Sequence, residues 1–280
     1  MKQRLITAAV AIALMIPVLV FSDTILLNIV IALLSAAAVC EVLKAADCVR
    51  PVSMFVLCAA AALAIPFLSY DKKGIMLPIA GFVFTFAIMT ILLVRFDTLS
   101  VQKVGFAFFI TIMVPITMSV IVYFRNKYGP DGLGVFYILL LLVGAFMTDT
   151  GAYLGGRLFG KRKLAPKISP NKTVEGAICG VVVCLVSMPL YCLIYSLISA
   201  ANGATVAVDY LRVIVLALLT APMAIAGDLS ASIIKRQCGV KDFGNILPGH
   251  GGIMDRFDSV LFVAPTILIY SHFLPLIAAV

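Results

Sequence analysis

The sequence predicts an all-α, polytopic membrane protein with about nine transmembrane helices and a cytoplasmic N-terminus. Three observations carry this reading. Hydrophobic residues make up 63% of the 280 residues and charged residues 12%, against roughly 45–50% and about 25% in soluble domains. Apolar runs of bilayer-spanning length recur along the whole chain. The cations fall mostly in every second gap between those runs.

A hydrocarbon core about 30 Å thick takes on the order of 20 apolar residues of helix. The chain supplies such runs at about residues 5–21, 24–43, 52–69, 75–94, 104–124, 133–149, 174–199, 211–228 and 257–279. The alternating pattern of a membrane barrel is absent, so the runs read as helices. The first run follows Lys2 and Arg4 as a signal peptide would. No small-x-small cleavage site comes after it and a second run begins almost at once, so it reads as an uncleaved helix. Prolines within the runs, such as Pro66, Pro115, Pro189 and Pro222, are tolerated in membrane helices, where small residues also permit close packing.

Sixteen of the 21 Lys and Arg residues lie in one alternate set of gaps. That positive-inside bias places the N-terminus in the cytoplasm and, after nine spans, the C-terminus outside. It also accounts for the net charge of +8 without invoking nucleic acid. The seven cysteines form no CxxC pair and lie mostly inside apolar runs, which marks them as packing residues.

Residues 1–130 read as short-looped scaffold and lipid-facing wall, with room for cavity residues that the sequence does not mark. Residues 131–280 carry the chemistry, in two charged loops, Gly151–Val174 and Leu229–Phe257. Long polar loops in a tight membrane protein are where function is expected. Asp149 closes the sixth run, Glu175 opens the seventh, Asp228 closes the eighth, and Asp255 and Asp258 open the ninth. All five acids then lie at the cytoplasmic ends of the last four helices.

A carboxylate at bilayer depth costs about 2.5–3.5 kcal/mol on insertion scales, so several converging there call for a cation. All-oxygen ligands suit a hard ion such as Mg²⁺, which takes one or two protein carboxylates together with substrate phosphates. Asp255 and Asp258, three residues apart, are neighbours on a helix. A helix continuing past the eighth run would also align Asp228, Ser232 and Lys235. Acids beside Lys and Arg are what phosphoryl or nucleotidyl transfer requires.

Plainer readings stand beside this one. Asp149 could be a helix-end acid paired with Arg157, Glu175 a favourable first-turn acid, and Lys161–Lys163 markers of topology. His250 could be a loop residue or a phosphate contact. Pro248-Gly249-His250-Gly251-Gly252 cannot hold a regular helix and lets backbone N–H groups approach an anion. Gly151, Gly155, Gly156 and Gly160 ahead of Lys161 lack the spacing of a Walker loop.

The stretch with Ser232, Lys235-Arg236, Lys241-Asp242, Gly244, Pro248 to Gly252 and Asp255-Arg256-Phe257-Asp258 resembles the signature of the phosphatidate cytidylyltransferases, or CDP-diacylglycerol synthases. Asp149 to Tyr153, Gly160-Lys161 and Ser169-Pro170-Asn171-Lys172-Thr173 are similar to the same family, so the resemblance covers the C-terminal half. Val174 departs from it, since many members carry an aromatic residue there.

The resemblance implies transfer of CMP from CTP to phosphatidate, giving CDP-diacylglycerol and pyrophosphate for phospholipid biosynthesis. It implies Mg²⁺, alone or with a second cation, on Asp228, Asp255 and Asp258. Lys235, Arg236 and Arg256 join these acids as catalytic residues. Lys161, Ser169, Asn171, Lys172, Ser232, Lys241 and His250 become substrate-binding residues. It further implies a homodimer in the cell membrane with its site facing the cytoplasm. The competing readings are a CTP-dependent kinase of a polyprenol or phytol, and an ion or proton transporter. The last expects acids near mid-span.

Overall fold

The computed structural model describes residues 10, 13–68, 74–129, 132–204, 206–247, 249 and 251–278. The chain divides into two compact units, Met1–Pro130 with Lys235–Phe257, and Asp131–Ile234 with Asp258–Val280. Among the described residues, six helices are long and apolar enough to cross a membrane. Of the expected first run, only residue 10 and residues 13–21 are described, and 13–20 are helical.

In the first unit, α1 (Leu26–Ala45), α2 (Val52–Leu68) and α4 (Val101–Tyr128) pack against one another. On α1 the buried positions Leu27, Ile31, Ser35, Ala38, Val39 and Val42 recur at helical spacing and form one stripe. The 19-residue α3 (Met76–Val94) buries only Phe84 and Ile88, so nearly all of it faces outward. Ser100 starts α4 by accepting the Lys103 N–H at 3.3 Å. Pro115 interrupts the α4 hydrogen-bond ladder, and the Ser119 hydroxyl donates to the Pro115 carbonyl at 2.6 Å. Arg125 ties α4 to the start of α1, donating to the Ser22 and Thr24 carbonyls at 2.8 and 2.7 Å. Past α1, Asp47 adopts a left-handed φ of 52° and is held by the Lys103 ammonium at 3.0 Å.

In the second unit, α5 (Gly134–Phe159) and α6 (Val174–Ala201) make the most extensive packing. Their sequences explain it. Gly151 and Gly155 on α5 meet Gly176 and Gly180 on α6, two small-xxx-small faces. A Cβ on Gly155 would sit 2.2 Å from Cys179 Cβ, and one on Gly180 would sit 2.9 Å from the Thr148 carbonyl oxygen. The α7 helix (Tyr210–Gln237) buries Val213, Leu216, Ala217, Thr220, Ala221 and Ala224 as one stripe. The α9 helix (Val260–Phe273) packs on α5. A hairpin of β1 (Lys163–Ala165) and β2 (Ser169–Thr173) joins α5 to α6. The short strands β3 (Ala207–Val208) and β4 (Ile277–Ala278) pair antiparallel.

Three expected boundaries move. Helix α5 runs on to Phe159, so residues 151–159 are helix where a loop was expected, and the connection shortens to residues 160–173. Its glycines serve helix packing, not loop flexibility. Helix α7 runs on to Gln237, which puts Asp228, Ser232 and Lys235 on one helix as their spacing suggested. The ninth run is broken. A four-residue helix α8 (Met254–Phe257) stops before Asp258, and the separate α9 begins after Ser259, whose side chain makes no capping bond. Asp255 and Asp258 therefore do not share a continuous helix. At 14 residues, α9 spans about 21 Å, short of a 30 Å hydrocarbon core. All seven cysteines are free thiols. Burial raises the pKa of Cys48 and Cys238, which lie outside the spanning helices, so neither is a reactive thiolate.

Candidate active site

The second unit holds a cavity of about 430 Å³. Its polar walls are Asp149 and Arg157 from α5, Ser169, Asn171 and Lys172 from β2, and Asp228 from α7. The Lys172 ammonium forms an ion pair with the Asp228 carboxylate. Five residues singled out by sequence, Asp149, Ser169, Asn171, Lys172 and Asp228, thus meet at one place.

The hairpin is fixed from its base. Glu175 Oε2 accepts the backbone N–H groups of Lys161 and Arg162 at 3.0 and 3.1 Å, and Oε1 accepts the Arg162 Nε–H at 3.1 Å. Thr173 caps α6 by accepting the Gly176 N–H at 3.1 Å. Glu175 is therefore more than a favourable charge in a first turn: it bonds the start of the hairpin to the start of α6.

Ser259 joins two further acids. Its hydroxyl donates to Asp149 Oδ2 at 2.8 Å, and its N–H donates to Asp258 Oδ1 at 2.8 Å. Ser259 is fully buried and Asp258 is 7% exposed. A Cβ on Gly227 would stand 2.6 Å from the Asp258 carbonyl oxygen. The residue preceding Asp228 thus lets the α7 backbone close onto this turn. Carboxylates from α5, α7 and the Asp258 turn belong to one neighbourhood, and all offer hard oxygen donors. Among the described residues no three His, Cys, Asp or Glu side chains form a metal-holding group. The two cavity carboxylates Asp149 and Asp228 match the one or two that Mg²⁺ takes when phosphates complete its shell, so these residues fit such an ion.

The first unit holds a second charged cluster. Lys235 donates to Asp255 Oδ1 at 2.8 Å and lies over the Phe243 ring at 5.4 Å. Asp255 Oδ2 accepts the N–H groups of Phe243 and Gly252 at 2.8 and 3.0 Å. Side-chain exposure is 11% for Lys235 and 4% for Asp255. Both oxygens of Asp255 are engaged, so it would have to release a donor to reach a metal. Here it anchors the loop between α7 and α8. Glu41, from α1, reaches the same loop, and its Oε2 accepts the Met254 N–H at 3.0 Å.

The remaining expected site residues take less central places. Arg236, Lys241, Arg256 and Lys161 are exposed. Lys161 contributes its backbone N–H to Glu175 and is not among the cavity walls. Ser232 is buried on α7. His250 and Pro248 lie outside the described residues. Sequence reasoning missed Glu41 and Ser259. The signal for Glu41 was available, as the one acid inside the second apolar run, where an unpartnered carboxylate is costly. Nothing marked Ser259 beyond its place after Asp258.

Bilayer-length helices around a cavity walled by carboxylates and cations define a membrane protein equipped for phosphorylated substrates. The chain belongs to the Cytidylyltransferase family, which matches residues 2–274. It is 36% identical over 271 residues to the phosphatidate cytidylyltransferase of Staphylococcus haemolyticus, covering 95% of this chain and 96% of that one. It is 35% identical over 273 residues to that of Staphylococcus epidermidis, with the same coverage. With the Bacillus subtilis phosphatidate cytidylyltransferase it shares 41% identity over 169 residues, 60% of this chain and 58% of that relative.

Proposed function

We propose that this protein transfers CMP from CTP to phosphatidate, giving CDP-diacylglycerol and pyrophosphate. The observation that carries the reading is the cavity in which Asp149, Asp228 and Lys172 meet, in a chain of the Cytidylyltransferase family. A phosphate oxygen of phosphatidate attacks the α-phosphorus of CTP. The new P–O bond forms as the bond to the β-phosphate breaks, and pyrophosphate leaves with that electron pair. The lipid phosphate is itself the nucleophile, so no Ser, Cys or His nucleophile is needed. The protein's task is to bring two polyanions together and offset the charge on the leaving group.

Asp149 and Asp228, with the neighbouring Asp258, would hold Mg²⁺, alone or with a second cation; the ion would neutralise phosphate charge and polarise the reacting phosphorus. Lys172 passes from Asp228 to a substrate phosphate, while Ser169 and Asn171 orient the headgroup or nucleotide. Lys235, Arg236, Lys241 and Arg256 supply further positive charge for phosphates. The diacyl tails stay among the helices, which accounts for a polar reaction in a membrane protein. The bias of 16 of 21 Lys and Arg to one set of gaps supports a site facing the cytoplasm. The family resemblance supports a homodimer, to be checked by the mass of the detergent-solubilised protein.

The deciding experiment supplies CTP labelled in its α-phosphate, with phosphatidate and Mg²⁺, to purified protein. Label retained on lipid with pyrophosphate released supports the reading. CDP release with an unlabelled, newly phosphorylated lipid would replace it with a lipid kinase. Ion movement in liposomes without CTP turnover would end it.

A further inference from the structure

Glu41 is buried to 4% exposure in α1, an expensive place for a carboxylate. It is committed to a segment 213 positions away in sequence: Oε2 accepts the Met254 N–H at 3.0 Å. Its carboxyl group also stands against the Cα atoms of two glycines in the loop before α8. A Cβ on Gly244 would meet Oε1 at 2.4 Å, and one on Gly252 would meet Oε2 at 2.4 Å. Oε1 itself is buried without a hydrogen-bond partner. For packing alone, an apolar side chain would fill this space without leaving a buried polar atom.

The loop is gripped from its other side by Asp255, through the N–H groups of Phe243 and Gly252, and Asp255 in turn holds Lys235. Two carboxylates thus clamp one glycine-bearing loop. A Cβ at Gly244 or Gly252 would displace the Glu41 carboxyl group from its present position. Of the residues the loop carries or holds, Lys241 and, through Asp255, Lys235 are assigned to phosphate above.

We infer that Glu41 is a positioning residue for nucleotide binding, setting Gly244, Gly252 and Met254 so that Lys235, held by Asp255, is presented to CTP phosphates. The inference rests on the proposed reaction and adds to it a residue from the N-terminal part of the chain. Glu41→Gln and Glu41→Ala separate positioning from simple support of the fold. A structural role lowers the fraction of folded enzyme, hence the apparent kcat, and leaves KM unchanged. A positioning role raises the KM for CTP by about tenfold or more in Glu41→Ala, and less in Glu41→Gln, which keeps one oxygen for Met254.

Hydrogen–deuterium exchange gives the second readout. Amides of residues 243–254 should exchange at least about tenfold faster in Glu41→Ala while those of α4 and α5 keep their rates. An unchanged KM for CTP, with or without a lower apparent kcat, overturns the inference, as does unchanged loop exchange. If the wild-type protein turns over no CTP, the reaction reading falls and the inferred nucleotide role falls with it. The exchange data then still report whether Glu41 orders the loop, so the two failures are distinguishable.

Discussion

Lys172 on the hairpin and Asp228 on α7 form an ion pair at the wall of the cavity that Asp149 also lines. Their side chains are 24% and 29% exposed, and such partly solvated pairs contribute about 0–1 kcal/mol to folding. Asp228→Asn should therefore leave the protein folded, with little change in Tm. Its CTP- and phosphatidate-dependent pyrophosphate release should fall by about 10²–10³, the scale for loss of one preorganised electrostatic contact. Near-normal turnover would remove Asp228 from the site.

Asp255→Asn should behave differently. Lys235 and Asp255 are 11% and 4% exposed, and removing one partner from such a buried pair costs about 3–5 kcal/mol. The variant should lose stability in detergent as well as activity. Parallel thermal unfolding of Asp228→Asn and Asp255→Asn tests the contrast. Equal Tm values for the two variants would contradict the anchoring role of Asp255.

Gly155→Leu tests the helix contact beneath the cavity. Its Cβ alone would stand 2.2 Å from Cys179 Cβ, so α5 and α6 would be forced apart. Overpacking costs about 1–3 kcal/mol, and more where backbone must move. The expected outcome is a lower yield of monodisperse protein on size exclusion and a lower Tm. Gly105→Leu should be neutral, because nothing stands within 4 Å of a Cβ there.

The membrane class, the helical runs and the C-terminal site residues were legible because each is written locally. Hydropathy reports spans, and the spacing of Asp228, Ser232 and Lys235 reports a shared helix. Pairing was not legible. Nothing in the order of residues couples Lys172 to Asp228, or Glu41 to Met254. Residues 151–159 read as a loop because the apolar run ends at 149 and charge follows. Inside a membrane Gly151, Gly155 and Gly156 are instead part of a helix surface on which a second helix rests. The ninth run read as one span because its hydropathy is continuous, while in the structure it breaks at Asp258, whose carboxylate accepts the N–H of Ser259.

Glu175→Ala removes three hydrogen bonds that fix the start of the hairpin. Trypsin cleavage within residues 161–167 should be about tenfold faster, since local opening limits it, and α6 should stay intact. Unchanged cleavage would show that β1–β2 pairing alone holds the hairpin.

Metal removal is the fifth test. Chelation should abolish pyrophosphate release, and added Mg²⁺ should restore it. Full turnover in excess chelator would rule the ion out of the reaction.

The base of the hairpin has a mechanical consequence. At 28 residues, α6 is about 42 Å long, beyond a hydrocarbon thickness near 30 Å, and helices that exceed the bilayer accommodate it by leaning. Glu175 and Thr173 rivet the hairpin to the first turn of this helix. Ser169, Asn171 and Lys172 therefore ride on α6 as on the arm of a lever. A change in lipid chain length that altered the lean of α6 would carry these three residues with it.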